Sequence, residues 1–235
     1  MPFFEVENQH DAFMQRSRLW VFCGAASLAM TAGYVNVVML GFFAVPVSHM
    51  SGAVSQLGIS LAGVGFDEVF LIASIVIGFF CGAFLSGIVL GETSFKMRRR
   101  YGLLLLIESG LLAAAMLLAL TSLKFTVPVA AMACGLQNAM ASSYRGLTLR
   151  TTHVTGIVTD LGALLGNRLR GRQVKRWKFG LLLSTLIAFF IGGLGGALFL
   201  KAMGMWSLSL ACGLCLILGI VVFLISDETQ VDPSS

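Results

Sequence analysis

Charged residues are scarce in this chain. Asp, Glu, Lys and Arg make up only 11% of its 235 residues, whereas they account for about 25% of a soluble globular domain. Hydrophobic residues make up 57% of the sequence, and the mean hydropathy is +0.90. This composition excludes a soluble enzyme or a nucleic-acid-binding domain, and it makes the lipid bilayer the expected surroundings of the chain.

Sequence motifs of catalysis and cofactor binding are missing as well. The chain has no nucleotide-binding motif, no HExxH or GxSxG, and no paired catalytic carboxylates at a usable spacing. Its five cysteines lie inside apolar runs without the spacing of a disulfide framework. Cys212 and Cys215 form a CxxC, but no His or carboxylate stands near them in the sequence. We therefore predict no enzyme activity, no cofactor, no metal site and no nucleic-acid partner.

Apolar runs of the length of a membrane-spanning helix, roughly 20 residues, are what the chain has instead. Two further stretches, at about 48–65 and 152–167, are too short and too polar to span comfortably. The predicted fold is therefore an all-α membrane protein with six transmembrane helices plus two re-entrant half-helices. The six predicted spans are 18–43, 68–91, 101–121, 124–143, 178–200 and 205–225.

Basic residues support this topology over one with eight crossings. If both short stretches enter and leave on one side, 14 of the 16 Lys and Arg residues fall on one face, with Lys124 and Lys201 on the other. The positive-inside rule makes the first face cytoplasmic, together with residues 1–17 and the tail at 226–235. The 14 are Arg16, Arg18, Lys96, Arg98, Arg99, Arg100, Arg145, Arg150, Arg168, Arg170, Arg172, Lys175, Arg176 and Lys178.

The two short stretches are copies of each other. Residues 48–62 (SHMSGAVSQLGISLA) align with residues 152–166 (THVTGIVTDLGALLG) at a constant offset. Upstream, GYVN from Gly33 aligns with GLQN from Gly135. Downstream, FFCGAFLSG from Phe79 aligns with FFIGGLGGA from Phe189. The chain therefore reads as two repeats, 18–121 and 122–225, each with three spans and a half-helix. Because three is odd, the second copy must be inverted in the membrane, which is the architecture of secondary transporters with a midplane site.

The same segments carry a family resemblance. TAGYVNVVMLG, VSHMSGAVSQLG, CGLQNAM and RTTHVTGIVTDLG resemble the YoaK family of small bacterial membrane proteins, known as DUF1275. The resemblance covers nearly the whole chain and implies a multi-pass protein of the bacterial inner membrane. Where that family commonly has MTGN, this chain has Met50, Ser51, Gly52 and Ala53. The family has no established activity, so the resemblance implies fold and location rather than function.

Each predicted half-helix has one face of hydroxyl and small residues. Ser48 and Thr152 are predicted as N-caps, and Pro46 suits an extended descent before the first helix. Helix N-termini in the membrane interior offer unpaired N–H groups that favour anionic or polar ligands. The alternative is a surface for helix packing, which membrane proteins also build from small residues. The two faces are Ser48, Ser51, Gly52, Ser55 and Gln56, and Thr152, Thr155, Gly156, Thr159 and Asp160.

Titratable residues recur at these half-helices. His49 and His153 occupy equivalent positions, where they bind a solute, shuttle protons, or hydrogen-bond the backbone left open by the helix break. Asp160 is an expensive charge inside a membrane and corresponds to neutral Gln56, so only one repeat can titrate there. A competing interpretation pairs Asp160 with a nearby arginine, for which the candidates are Arg145, Arg150 and Arg168.

Glu108 lies about 10 Å into the third span from the basic cluster. It is interpreted either as a counter-charge to Arg100 or as a proton carrier. Three mid-span amides, Asn36, Gln137 and Asn138, either line a cavity or hydrogen-bond neighbouring helices.

The predicted function is a small-solute transporter or channel whose site lies at the half-helix tips, with Asp160 and Glu108 as candidate proton carriers. The alternative is a non-transporting assembly or lipid-interaction protein, in which the basic run RLRGRQVKRWK binds anionic head groups. The chain length is also compatible with a homodimer. The predicted substrate-binding residues are Asn36, Ser48, His49, Ser51, Gly52, Gln56, Gln137, Asn138, Thr152, His153, Thr155, Gly156 and Asp160.

Single-cysteine labelling tests the topology. In a variant without native cysteines, Arg98→Cys should not react with a membrane-impermeant thiol reagent added outside intact cells, because 14 basic residues favour a cytoplasmic position. Lys201→Cys, on the opposite face, should react under the same conditions. Labelling of Arg98→Cys from outside would show that the six-span topology is wrong.

Overall fold

The computed structural model describes residues 3–44, 47–63, 66–91, 97–121, 123–142 and 152–225, and within these ranges every regular element is a helix. A short 3-10 helix, Gly204–Ser207, joins the last two α-helices. The eight α-helices are α1 (Phe3–Phe43), α2 (Met50–Gly63), α3 (Phe66–Leu90), α4 (Met97–Leu118), α5 (Leu123–Ser142), α6 (Val154–Leu169), α7 (Arg176–Met203) and α8 (Leu208–Ile225).

The helices follow the predicted segments closely, and the first helix is longer than its predicted span. Both short stretches form separate helices, α2 of 14 residues and α6 of 16 residues. The predicted first span, 18–43, matches the apolar stretch Leu19–Phe43, and helix α1 extends beyond it to Phe3. Residues 3–17 contain Glu, Gln, Met, Ala and Arg but no Gly or Pro, so local propensity continues the helix through the polar N-terminal segment.

Four helical stretches in the described residues are long and apolar enough to cross a membrane. They are Leu19–Phe43, Phe66–Leu90, Arg99–Leu118 and the 50-residue stretch Arg176–Ile225, which contains both α7 and α8. Helix α5 is not among them, because Gln137 and Asn138 lower the hydropathy of its apolar run. The chain is thus a helical protein with several apolar helices suited to a lipid bilayer. The count of six spans stays a prediction.

The helices pair across the two halves of the chain. Helix α3 packs along α5, α1 packs along α7, and α4 packs along α8. Helix α4 also packs on α5, while the short helices α2 and α6 lie on α3 and α7, respectively. The buried core lies between α1, α4, α5 and α8, where Met39, Leu112, Val127 and Leu208 are fully enclosed.

Glycines bring the backbones of the paired helices together. A Cβ atom added at Gly33 of α1 would clash with the backbone of Phe189 in α7, and one added at Gly135 of α5 would clash with the backbone of Phe79 in α3. The aligned segments make Gly33 equivalent to Gly135 and Phe79 equivalent to Phe189. The two interfaces are therefore reciprocal, with the same contact made in each direction between the halves.

A second reciprocal contact joins α4 to α8. The Ser109 hydroxyl donates to the carbonyl oxygen of Cys212 at 2.9 Å, and the Cys212 thiol donates to the carbonyl oxygen of Ser109 at 3.2 Å. Each side chain thus bonds the backbone of the other helix at the place where the two halves face each other. Such small polar groups hold membrane helices together without a hydrophobic driving force between them.

Substitution at a second reciprocal glycine pair tests the close packing. A Cβ atom at Gly82 would clash with Met132, and one at Gly192 would clash with Met30, in both cases with backbone atoms. Gly82→Ala and Gly192→Ala should each lower the free energy of unfolding by about 1–3 kcal/mol, because the backbones must separate. Thermal unfolding in detergent measures the change.

The control for this test is Gly87→Ala on α3. A Cβ atom added at Gly87 has no neighbouring atom within 4 Å. This variant should leave the midpoint unchanged or raise it slightly, since alanine favours helix. Equal midpoints for all three variants would contradict the glycine-mediated packing.

Candidate functional site

The tip of each short helix is tied to a mid-span asparagine. The Ser48 hydroxyl donates to Asn36 Oδ1 at 2.7 Å, and the Thr152 hydroxyl donates to Asn138 Oδ1 at 2.9 Å. These residues are equivalent in the two repeats, so one anchoring bond occurs twice. Ser48, Asn36 and Thr152 are buried, and Asn138 is half-buried. The structure therefore brings together two pairs of the predicted site residues.

These bonds correct the predicted N-caps. Helix α6 begins after His153, which occupies the N-cap position without a side-chain capping bond. The carbonyl oxygens of His49 and His153 accept the first helical bonds, from Ala53 at 3.0 Å and Ile157 at 3.1 Å. Thr152 and Ser48 stand one residue earlier, and their hydroxyls bond an asparagine of another helix instead of the N–H groups of their own helix. The N-cap prediction is wrong for both.

The two histidines have different surroundings. The His153 side chain is exposed and its ring lies against Gly156, where a Cβ atom would collide with Nδ1. His49 is half-buried, and a Cβ atom at the equivalent Gly52 would meet open space. Sequence equivalence therefore does not extend to the geometry of the imidazoles. A side chain at position 156 would therefore require the His153 ring to move.

The remaining half-helix residues of the predicted site are mostly exposed. Ser51, Gly52, Gln56, Thr155 and Asp160 are exposed, while Gly156 is half-buried. Ser55 and Thr159 lie on the same faces. Their hydroxyls donate to the carbonyl oxygen of the residue one turn earlier in their own helix. The exposed hydroxyls nearest the tips are those of Ser51 and Thr155.

Gln56 has a partner that the sequence did not indicate. Its Nε2 donates to Glu68 Oε1 at 3.1 Å, across the turn between α2 and α3. Asp160, the equivalent residue on α6, is exposed. Of its three predicted arginine partners, Arg145 and Arg150 lie outside the described residues. Helices α2 and α6 thus present different polar chemistry at matched positions.

A second group of predicted residues is buried in the bundle. Gln137 is 1% exposed and donates from Nε2 to the carbonyl oxygen of Leu28 at 2.8 Å, which joins α5 to α1. Gln137 therefore acts as a bond between helices in this structure, one of the two roles expected of it.

Glu108 is 2% exposed, and its carboxyl lies near the thiols of Cys134 and Cys215. Its Oε2 atom has no hydrogen-bond partner among the described residues. Arg100, the proposed counter-charge, donates from Nη1 to the carbonyl oxygen of Leu90. The CxxC thus has a carboxyl neighbour after all, supplied by α4 rather than by its own stretch of sequence.

The predicted site residues therefore fall into separate groups. Helix α2 lies on α3 and helix α6 lies on α7, and within the described ranges the two short helices form no extended packing contact with each other. The anchored tips involve α1 and α5, whereas Glu108 belongs to the interface of α4, α5 and α8. Sequence periodicity could not have assigned these neighbours, because it describes one helix at a time.

A cavity near the start of α4 was not predicted. It has a volume of about 260 Å³ and lies between α1, α4, α5 and α8. We call it the vestibule. Its wall is largely apolar and includes Trp20, Gly24, Ser27, Tyr101 and Leu105. The sequence signal for it is slight, because small residues such as Gly24 serve helix packing as often as they leave open space.

Buried amides, a buried carboxyl and broken helices among apolar helices define a polytopic helical protein with a polar interior. More narrowly, the chain matches the family described as "Protein of unknown function (DUF1275)" over residues 24–221, and it belongs to that family. The expected membership of DUF1275 is confirmed. No curated protein and no solved structure matches the chain.

Double-mutant cycles test the anchoring bonds. Thr152→Val with Asn138→Leu, and Ser48→Ala with Asn36→Leu, should each show a coupling of about 0.5–1.5 kcal/mol in the free energy of unfolding, because each pair shares one hydrogen bond. Crossed pairs, such as Thr152→Val with Asn36→Leu, serve as controls and should be additive. Additivity within the matched pairs would contradict the anchoring.

Proposed function

We propose that this protein is a small-solute membrane transporter or channel, built from two inverted-topology repeats, with its solute site at the tips of α2 and α6. The observation that carries the proposal is the matched pair of anchors, Ser48 on Asn36 and Thr152 on Asn138. Each anchor fixes the start of a short helix, and the neighbouring helices are long and apolar. A broken helix with a fixed, polar start is the element with which such transporters hold their solutes.

Burial of the first tip supports this proposal. Val47 is fully buried and belongs to the same core as Val35, Ala131 and Leu208. The chain thus enters the bundle at residues 47–48 and leaves it along α2 toward Gly63. The N–H groups of the first turn of α2 begin at this buried end, where a helix terminus favours a negative or polar group.

Reciprocal contacts support the inverted arrangement. The equivalences Gly33 with Gly135 and Phe79 with Phe189 relate contacts of α1 with α7 to contacts of α5 with α3. Two copies that exchange equivalent contacts are related by a two-fold operation. For membrane repeats with three spans each, that axis lies in the plane of the bilayer.

Proton coupling is assigned in this proposal to Glu108 rather than to Asp160. A carboxyl works as a coupling group when it is shielded from bulk water in the membrane interior. Glu108 is 2% exposed, whereas Asp160 is exposed on α6. Exchange of Asp160 for Asn should therefore leave the pH dependence of uptake in place. A flattened pH profile for that variant would return the coupling role to Asp160.

Uptake into proteoliposomes tests the solute site. A solute screen with and without a pH gradient identifies a transported compound, and the initial rate is then compared among variants. Ser51→Leu and Thr155→Leu should each slow uptake about tenfold, equivalent to about 1.4 kcal/mol, because they remove exposed hydroxyls at the tips. Neither hydroxyl holds the fold through a bond seen in the described residues, so the variants should insert normally.

The matched controls are Val54→Leu and Val158→Leu, which change exposed apolar side chains on the same two helices. They should transport at the wild-type rate. Equal rates for all four variants would place the solute site elsewhere. A screen without any transported solute would favour a non-transporting assembly or lipid-interaction protein.

A further inference from the structure

The vestibule and Glu108 lie on one line through the bundle. On α4, Tyr101 and Leu105 line the vestibule, and Glu108 follows at the next position of the same helical face. On α8, Val222 and Leu218 line it, and Cys215 follows in the same way. The carboxyl and its thiol neighbour are thus about one helical turn, roughly 5 Å, beyond the floor of the vestibule.

The wall on α1 and α5 confirms this alignment. Leu28 lines the vestibule, and its carbonyl oxygen accepts the hydrogen bond from Gln137. Gln137 itself stands one turn before Met140 and Ala141, which also line the vestibule. All four helices therefore lead from the vestibule into one buried polar layer that contains Gln137, Cys215 and Glu108.

Fixed cations do not neutralise this carboxyl in the described part of the chain. The titratable groups that face it are thiols, Cys134 from α5 and Cys215 from α8, with Cys212 nearby. Arg99 lies over the ring of Phe223, and Arg100 bonds Leu90, both at the end of the bundle.

The flanking helices add no charge at this depth either. On α3 the acidic residues Asp67 and Glu68 stand in its first turn, and on α1 the Tyr34 hydroxyl donates to Ser207. A lone carboxylate in such surroundings is costly.

We propose that Glu108 is a proton-binding site and that its proton is exchanged through the vestibule with the basic end of the bundle, where α4 begins with Arg99 and Arg100. For exchange, a water from the vestibule crosses the intervening helical turn and hydrogen-bonds the carboxyl; the proton passes to that water as hydronium, and a proton returns from water by the same path. At about 260 Å³ the vestibule is large enough to admit a water molecule. Ser27 and Tyr101 are the hydroxyl-bearing residues among those that line it.

The proposal rests on the proposed function only for the use of the proton, because binding itself can be measured without any solute. Infrared spectra of the purified protein near neutral pH report protonated carboxyls, since exposed carboxylates are ionised there. We expect a carbonyl stretching band of a protonated carboxyl in the wild type. It should vanish in Glu108→Gln and persist in Asp160→Asn.

The exchange route is tested by the rate at which this band shifts in deuterated buffer. Gly24→Phe fills the vestibule, because a Cβ atom at Gly24 meets open space and the residue lines the cavity. It should slow the exchange about tenfold, equivalent to about 1.4 kcal/mol on the barrier. Gly87→Phe, on an exposed position of α3 with equal open space, should leave the rate unchanged.

Three results would overturn the proposal. Absence of the band in the wild type would mean that Glu108 is ionised and has a cation as its partner. Persistence of the band in Glu108→Gln would assign it to another carboxyl, and Glu108→Asp, which should shift the band, decides the same point if the glutamine variant does not fold. An unchanged exchange rate in Gly24→Phe would exclude the vestibule as the route.

Discussion

Close approach of backbones at the glycine crossings is the constraint on which the rest of the structure depends. In a bilayer, apolar side chains gain little by leaving lipid for a neighbouring helix, so dispersion between surfaces in tight contact must hold the helices. Gly33 and Gly192 allow this for α1 with α7, and Gly82 and Gly135 allow it for α3 with α5. These crossings fix α1 and α5, and with them the asparagines that hold the two helix tips.

Polar groups in the interior are then placed where the packing leaves them a partner. Ser109 and Cys212 use each other's backbone, Gln137 uses the carbonyl of Leu28, and the tip hydroxyls use asparagine oxygens. Each of these groups would be expensive without its bond. Some buried atoms lack a hydrogen-bond partner among the described residues, and they include the hydroxyls of Ser60, Ser86 and Ser207 and one carboxyl oxygen of Glu108. Of these atoms, only the Glu108 carboxyl can carry a negative charge.

Much of the fold could be predicted from the sequence, because lipid exposure makes apolar length a strong signal and the repeat marks equivalent elements. The helix ends agree with the predicted segments to within a few residues, apart from the start of α1. The sequence could not predict which side chains of different helices contact each other. The hydroxyl of Thr152 could bond its own helix or Asn138, and only the packing of α5 decides. The same holds for Glu108, whose neighbour Cys215 is remote in sequence.

The exchange of partners between the halves has a consequence for biogenesis. As the chain leaves the ribosome, α1 and α3 enter the membrane long before α7 and α5 have been synthesised. Their glycine faces therefore stay unpacked, covered by lipid or by the insertion machinery, until the second half is inserted. The first half cannot complete its packing alone, and assembly is finished only when α7 packs on α1 and α8 packs on α4. A nascent chain released early leaves those small-residue faces open, a mark by which membrane quality control can recognise an unfinished protein.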